Sequence, residues 1–575
     1  MTHTIRLQRG RCAPRGGLLL LSLLVARSLA AQEPSVGLYE VFEVNLTSTG
    51  SYANPYLQMP GDSTTPGFVV GTFTGPSGQT ITLDGFWDGG NTWTIRMAPT
   101  AVGTWTYTTA STDAGLNGKT GSFTCIPSAS KGFVRVDPQH PHHFMWDDGT
   151  PFYWAPTALM VAHFDEAGRG DQGGNRRVDT GTFQGFAETR ASQGFSTTHW
   201  GYYGFNKGQF NQKTQVNEGG PPLTSYDPDL LNPAYYQFGD QRVNVLLARG
   251  ITPQFILGWP DQNIASLGEA RLKRYWRYLI ARYAAYNVSW NLFGEGDEFG
   301  AGWESLVNDY GNLTRRWDPY DHLLTTHLTS GPPSTLATQS WYDYVMLQLP
   351  TSDTSKFLNY NKPVINAEYG GYEGSQVNGE QLRPMIWDVR MRGGYVVYES
   401  WGNDPHSPGA QYASLANRFF RDKTRFWLLE SHPELFGGRP GLAHPDQEYV
   451  SYLSSGGSLA VDLTVVAGSL SVDWYNPRTG QVTAAGSTSG GASRTFTAPD
   501  TNDWVLHLTA LSSSSSLTPV TITGNRFYSN GQPDFPSTNF LSIDIPKRYV
   551  THTYLGVSST QRQGILNTLK SQGYN

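Results

Sequence analysis

The stretch Asn287-Val-Ser-Trp-Asn-Leu-Phe-Gly-Glu-Gly-Asp-Glu298 decides the fold class of this chain. Its first half is apolar enough for a buried strand, and it ends abruptly in glycines and carboxylates. Upstream, apolar residues recur with the spacing of an α-helix at Leu272, Trp276, Leu279, Ile280 and Tyr283. A helix, a buried strand and acids at the carboxyl end of that strand form one unit of a (β/α)8 barrel, whose chemistry lies at those strand ends.

Further strand candidates surround this unit between about residues 133 and 430. Together with the opening stretch they number eight, and they begin near residues 152, 195, 251, 287, 322, 344, 363 and 394. Helical or loop segments separate them, and eight is the count that a TIM barrel needs. The predicted fold class is therefore multidomain, with a (β/α)8 TIM barrel over 133–430 flanked by two β-sandwich domains.

The two flanking regions have β texture without a helical period. Residues 36–128 alternate polar and apolar side chains between frequent turn residues, which predicts a β-sandwich. The segment 85–99 resembles the immunoglobulin-like module of secreted bacterial carbohydrate-active enzymes. Residues 440–510 contain Trp474-Tyr-Asn-Pro-Arg-Thr-Gly480 and resemble a β-sandwich that is named for collagen binding. That name is not evidence that this chain binds collagen.

Residues 1–31 have the order of a secretory signal peptide. Four arginines precede the apolar run 18–26, and small residues follow it. The run is too short to span a bilayer, and we expect no other membrane span. We therefore expect a secreted or periplasmic bacterial protein.

The C-terminal end predicts a serine linker at 511–516 and then a partial repeat. Thr568-Leu-Lys-Ser-Gln-Gly-Tyr574 parallels Thr189-Arg-Ala-Ser-Gln-Gly-Phe195 in the barrel. One βα unit cannot close a barrel or bury its apolar face. We therefore expect 517–575 to be the truncated start of a second barrel-like repeat, poorly ordered or loosely docked.

Composition narrows the range of partners. The net charge of −6 gives no support for nucleic-acid binding, which requires a basic face. The cysteines, Cys12 and Cys125, form no disulfide framework, and no His/Cys cluster has zinc spacing. Asp165, Asp171 and Asn175 would suit calcium, but an ordinary loop is the favoured interpretation. We predict no metal and no cofactor, and the oligomeric state stays open.

Two glutamates carry the predicted chemistry. Glycoside hydrolysis needs two carboxyl groups that flank the scissile bond. Glu295 ends the fourth strand candidate and Glu368 ends the seventh. This placement resembles the retaining glycoside hydrolases of clan A, and the region 133–430 resembles their apiosidase-like barrels. The resemblance rests on two motifs, Asn287-Val-Ser-Trp-Asn-Leu-Phe-Gly-Glu295 and Lys362-Pro-Val-Ile-Asn-Ala-Glu368. It implies that Glu295 is the acid/base and Glu368 the nucleophile.

One position departs from the family pattern. The resemblance expects Asn before the acid, where it commonly contacts the sugar 2-hydroxyl, but this chain has Gly294. The departure leaves Asp297 or Glu298 open as the acid, and Glu373 or Glu399 remain rivals for the nucleophile. Any of these acids could also be an ordinary solvated loop group.

Polar and aromatic residues at or just after the strand ends are the candidate substrate-binding residues. Aromatic rings stack on sugar faces, whereas His, Asp, Asn and Gln bond to hydroxyls. The candidates are His199, Trp200, Trp259, Asp261, Asn291, His327, Gln348, Tyr369 and Trp401. The leading hypothesis is a retaining glycoside hydrolase whose partner is a polysaccharide or oligosaccharide. The alternatives are a non-catalytic carbohydrate-binding protein on a degenerate barrel and a surface adhesin that works through its sandwiches.

Overall fold

The computed structural model describes residues 33–511, with gaps at 159–182, 202–216, 261–263, 350–351, 370–372, 375 and 401–403, and it describes residues 528–529 and 532–533. The predicted signal peptide, the serines at 512–516 and most of the segment 517–575 lie outside the described residues. By internal contacts the chain divides into two compact units. One comprises residues 1–349, 359–368 and 397–405, and the other comprises residues 350–358, 369–396 and 406–575.

The first unit begins with two antiparallel-rich sheets, as the fold class predicted. The larger has the strand order Ser35–Gly37, Thr120–Ile126, Gly103–Ser111, Val69–Thr74 and Thr80–Asp84. The smaller has the order Phe42–Thr47, Thr92–Met97 and Phe86–Gly89. Burial alternates along Phe42–Thr47 and Val69–Thr74, and Trp93 and Trp105 are fully enclosed. Burial of two such indoles supplies much of the apolar area on which a small sandwich depends.

The parallel barrel strands follow the sandwich along the chain. In chain order the strands are Pro156–Ala158, Thr197–Gly201, Thr252–Ile256, Ser289–Asn291, Leu324–Thr325 with His327–Leu328, Val345–Leu347, Val364–Asn366 and Tyr395–Val396. Each of the first four strands pairs in parallel with the next. The second half of the fifth strand pairs in parallel with the sixth, and the sixth pairs in parallel with the seventh. Closure comes from a parallel bridge between Thr157 and Tyr398. The predicted TIM barrel is confirmed.

The first barrel strand begins later than predicted. Residues 152–156 were expected to form it, but Phe152 pairs in an antiparallel hairpin with Phe144. The strand that joins the barrel starts at Pro156, which pairs with Thr197. Both segments are apolar and buried, so periodicity alone does not separate them.

Helices surround or follow the strands. Their bounds are Phe183–Ser192, Pro233–Leu247, Glu269–Tyr283, Trp303–Trp317, Ser334–Ala337, Gly379–Met391 and Pro408–Lys423. The helix Glu269–Tyr283 holds the opening stretch in place. Its Trp276 lies edge-on to Trp290, with ring centroids 5.4 Å apart. The Trp290 indole N–H also donates to Asp318 Oδ2 at 2.8 Å, so the outward face of the fourth strand is fixed.

A buried ionic cluster joins the N-terminal sandwich to the barrel helices. Asp240 accepts from Arg96 at 2.6 Å and from Arg282 at 2.6 Å, and both guanidinium groups are nearly inaccessible to solvent. Burial opposes ionisation of Asp240, but Arg282 and Arg96 outweigh it and hold the pKa of Asp240 below its usual value. The cluster therefore depends on an ionised Asp240 between two cations.

We expect Asp240→Ala to lower the free energy of unfolding by about 3–5 kcal/mol, because it removes the buried carboxylate that two arginines share and leaves each of them only a more exposed partner, Glu43 or Asp88. Urea denaturation followed by tryptophan fluorescence measures the loss. Asp422→Ala is the matched control, since Asp422 pairs with Arg421 at the surface and such pairs contribute about 0–1 kcal/mol. Equal denaturation midpoints for the two variants would contradict the assignment.

The second unit contains an antiparallel β domain. Its six-stranded sheet has the order Glu430–Ser431, Gly441–His444, Glu448–Leu453, Trp504–Ala510, Ser469–Tyr475 and Val482–Ser489. A two-stranded sheet of Ser458–Asp462 and Ser493–Thr497 accompanies it. Trp474, Leu506 and Leu508 lie in the core that these strands enclose. In the described part of the chain, no helix combines the length and apolarity that a membrane crossing requires.

Candidate active site

The two predicted catalytic glutamates lie beyond the carboxyl ends of their strands. Glu295 follows the strand Ser289–Asn291, and Glu368 follows the strand Val364–Asn366. Both side chains are half-buried. The parallel direction of the strands puts both residues at the same end of the barrel, the end where TIM-barrel enzymes carry their active sites.

The backbone at Glu295 is strained. Its φ and ψ are 53° and 42°, in the left-handed region, although the residue is not glycine. Its carbonyl accepts from the N–H of Glu298 at 2.9 Å, which starts the short 3₁₀ turn Gly296–Phe299. Such a conformation costs about 1–3 kcal/mol and concentrates at functional sites. The strain distinguishes Glu295 from Asp297 and Glu298, which lie inside the turn.

Gly294 makes room for Trp259. A Cβ at position 294 would lie 2.0 Å from Cε2 of the Trp259 indole and 2.2 Å from its Nε1. The Gly294 N–H donates to the carbonyl of Gly258 at 3.0 Å, so the two backbones are in contact as well. The indole therefore occupies the place that a side chain before Glu295 would take. This explains in physical terms why the Asn of the family motif is replaced here.

We expect Gly294→Ala to lower kcat/KM by about 10²-fold, because the displaced indole shifts the turn that carries Glu295. In a Trp259→Ala background the same substitution should cost much less, since the clash is gone. Steady-state kinetics of the four combinations measure this coupling. Gly468→Ala is the control, because a Cβ there meets nothing within 4 Å. Additive losses at 294 and 259 would refute the coupling.

Two histidines lie beside Trp259. His199 is parallel to the indole, with ring centroids 6.3 Å apart and an angle of 15° between planes, and His327 lies edge-on to His199 at 5.7 Å. Both rings are buried, and among the described residues neither ring nitrogen of either histidine has a hydrogen-bond partner. Burial lowers the pKa of His327 to about 3. Burial and then His327 hold the pKa of His199 well below its usual value.

Asn291 and Gln348 differ in their surroundings. Asn291 is fully buried. Its Oδ1 accepts from the backbone N–H of His327 at 3.1 Å, and its Nδ2 contacts the sulfur of Met346 at 3.4 Å. Its amide therefore holds the fifth strand, and with it His327, in register. Gln348 is half-buried, and its Oε1 has no protein partner in the described part of the chain.

Two of the rival acids, Asp297 and Glu373, have structural roles. Asp297 accepts from the N–H and hydroxyl groups of Thr329 and Ser330, at 2.8–3.2 Å. Glu373 accepts from the Gly409 N–H at 2.8 Å and from the Ser407 hydroxyl at 2.7 Å, which satisfies the start of the helix Pro408–Lys423. Carboxylates that anchor loops in this way are poorly placed to exchange protons or attack a sugar.

A third rival acid, Glu399, lies close enough to Glu368 to be affected by its charge. Its side chain is only 4% exposed. Burial and then the charge of Glu368 raise its pKa well above the usual value. From the sequence, Glu399 was a candidate only for the nucleophile. Its position after the eighth strand candidate was the signal that could have marked it as a partner of Glu368.

Some predicted site residues cannot be placed. Asp261 and Trp401 lie outside the described residues, as do the calcium candidates Asp165, Asp171 and Asn175. The backbone of Trp200 belongs to the second barrel strand, and Tyr369 is half-buried directly after Glu368. Within the described residues, no group of three or more His, Cys, Asp or Glu could hold a metal ion.

Comparison with known proteins places three family models along the chain. Residues 139–394 match "Apiosidase-like, catalytic domain". Residues 35–112 match "Domain of unknown function (DUF5060)", and residues 442–509 match "Putative collagen-binding domain of a collagenase". The family resemblance drawn from the two glutamate motifs is confirmed. Among curated proteins, none matches the chain significantly.

Solved structures support the same fold. A "putative glycoside hydrolase" from Bacteroides vulgatus ATCC 8482 is similar with a TM-score of 0.64 and 21% identity, over 83% of this chain and 100% of that one. A family 5 glycoside hydrolase from the same organism has a TM-score of 0.51 and 16% identity, over 66% and 93%. The barrel with its acids at one end and the match over residues 139–394 lead to one conclusion: the chain carries a region that is similar to apiosidase-like catalytic domains, on a barrel fold that it shares with solved glycoside hydrolases.

Proposed function

We propose that this protein is a secreted or periplasmic retaining glycoside hydrolase that cleaves a polysaccharide or oligosaccharide by double displacement. The observation that carries the proposal is the position of Glu295 and Glu368 beyond the fourth and seventh strands of a closed barrel. The strained backbone at Glu295 supports it further. The relation between carboxyl spacing and stereochemistry requires the two groups to be about 5–5.5 Å apart around a bound sugar.

The two glutamates would act in two steps. In the first, a Glu368 oxygen attacks the anomeric carbon while Glu295 gives its proton to the leaving glycosidic oxygen. This forms a glycosyl ester of Glu368 and releases the leaving group as an alcohol. In the second step Glu295 takes a proton from water, the water oxygen attacks the anomeric carbon, and Glu368 leaves as a carboxylate. The product keeps the anomeric configuration of the substrate.

The surrounding side chains suit an uncharged sugar. His199 and His327 are neutral at physiological pH, because their pKa values are lowered. A neutral imidazole has one donor and one acceptor nitrogen, the pair of roles that a sugar hydroxyl complements. Gln348 offers an amide of the same dual character. Buried polar atoms of this kind require hydrogen bonds, and hydroxyls of a bound sugar would supply them.

Hydrolysis of a panel of plant and algal polysaccharides, with NMR analysis of the first-formed product, tests the proposal. We expect at least one polysaccharide to release a product with retained anomeric configuration. Inverted product would contradict double displacement. Binding without any product would instead favour a degenerate barrel that only recognises carbohydrate.

A further inference from the structure

Glu399 and Glu368 are neighbours at the same level of the barrel. The Val397 N–H donates to the carbonyl of Asn366 at 3.1 Å, which sets the seventh and eighth strands side by side. Glu399 lies two residues after Val397, and Glu368 lies two residues after Asn366. Glu399 is only 4% exposed, and its Oε2 has no hydrogen-bond partner among the described residues.

An ionised Glu399 would be costly in this place. A carboxylate that is removed from water and has an oxygen without a hydrogen bond loses solvation that nothing replaces, and a second negative charge beside it adds repulsion. Burial raises the pKa of Glu399 most, and the negative charge of Glu368 raises it further.

Among the described residues, burial and the charge of Glu368 are the causes that raise the pKa of Glu399. On the other side of the strand, the first barrel strand offers the uncharged Thr157, which pairs with Tyr398. Arg190 lies over the Tyr398 ring at 5.1 Å, and successive side chains of a strand point to opposite faces. Its charge is therefore on the far side from Glu399.

We infer that Glu399 is a positioning residue of this site. Glu399 and Glu368 together carry one negative charge: Glu399 is the neutral carboxylic acid, and Glu368 is the carboxylate. The inference rests on the proposed function, because it assumes that Glu368 is the nucleophile. In this role Glu399 stays protonated and does not attack the sugar, so it is not a rival of Glu368 as the nucleophile. The proton on Glu399 keeps Glu368 as the carboxylate that attacks the sugar.

The test compares Glu399→Gln with wild type by thermal unfolding between pH 5 and pH 8. A raised folded-state pKa means that the folded protein binds more protons than the unfolded chain, so this contribution to stability falls as pH rises. Glutamine keeps the shape and does not titrate. The Tm of Glu399→Gln minus that of wild type should therefore increase with pH. Glu298→Gln, at an exposed site, is the control with a constant difference, and Glu399→Leu replaces the glutamine variant if that does not fold.

Kinetics complete the test. We expect Glu399→Gln to keep kcat within about threefold, since it preserves a neutral group of the same shape, and Glu399→Ala to lose about 10²-fold through misplacement of Glu368. A Tm difference that does not change with pH would overturn the inference and leave the proposed function intact. If Glu399→Gln abolished turnover while Glu368→Ala kept it, the proposed roles of the two glutamates would be wrong instead.

Discussion

Replacement of Glu368 by alanine is expected to reduce kcat by about 10⁴- to 10⁶-fold, the loss typical when an enzyme loses its nucleophile. The reason is that the variant lacks the carboxylate that attacks the anomeric carbon and forms the glycosyl ester. Added azide should restore part of the turnover and give a glycosyl azide of inverted configuration, because the small anion enters the space that the carboxylate left. Steady-state kinetics and NMR of the azide product measure both effects.

Glu373→Gln is the matched control for this prediction. Glu373 follows Glu368 closely in sequence, but its carboxylate binds Gly409 and Ser407. Its loss should lower stability and leave kcat nearly unchanged in the folded protein. If Glu373→Gln lost kcat as completely as Glu368→Ala and azide rescued only a variant at 373, the nucleophile would be Glu373.

Replacement of Glu295 by glutamine is expected to lower kcat/KM on the natural polysaccharide by about 10²- to 10⁴-fold, the usual contribution of general acid–base catalysis. The loss in the first step should be much smaller on an aryl glycoside with an acidic phenol, since such a leaving group departs without a proton. Comparison of the two substrate classes in the same variant measures this difference.

Asp297→Asn separates Glu295 from its nearest rival. Asp297 anchors Thr329 and Ser330, so its loss should affect both substrate classes alike. A dependence on the leaving group in Asp297→Asn, with none in Glu295→Gln, would transfer the acid role to Asp297.

The fold was predictable because its signals are local. The helical spacing before Asn287 and the apolar strand after it repeat along the barrel, and the acids at the strand ends follow from the parallel direction of the strands. The first strand was misplaced because Phe152 and Pro156 belong to adjacent apolar segments. Only the pairing partner, Phe144 or Thr197, decides which segment enters the barrel.

The site was less predictable, because its arrangement depends on contacts between distant segments. The sequence marked Gly294 as a departure, but its cause is the indole of Trp259, which follows the preceding barrel strand, Thr252–Ile256. The motifs favoured Glu295 and Glu368 but left Asp297 and Glu373 as rivals, and the hydrogen-bond partners of these two rivals come from distant segments. The position of Glu399 after the eighth strand candidate was visible in the sequence, but its burial beside Glu368 arises from the pairing of two strands that are distant from each other in the chain.

The most direct test of the central claim is trapping of the covalent intermediate. The enzyme is incubated with a 2-deoxy-2-fluoro glycoside of the sugar that it releases, which carries a good leaving group, and the labelled peptide is identified by mass spectrometry. The account predicts a single glycosyl label on Glu368. A label on Glu399 or Glu373, or a fluoroglycoside that is turned over with inversion and no label, would contradict it.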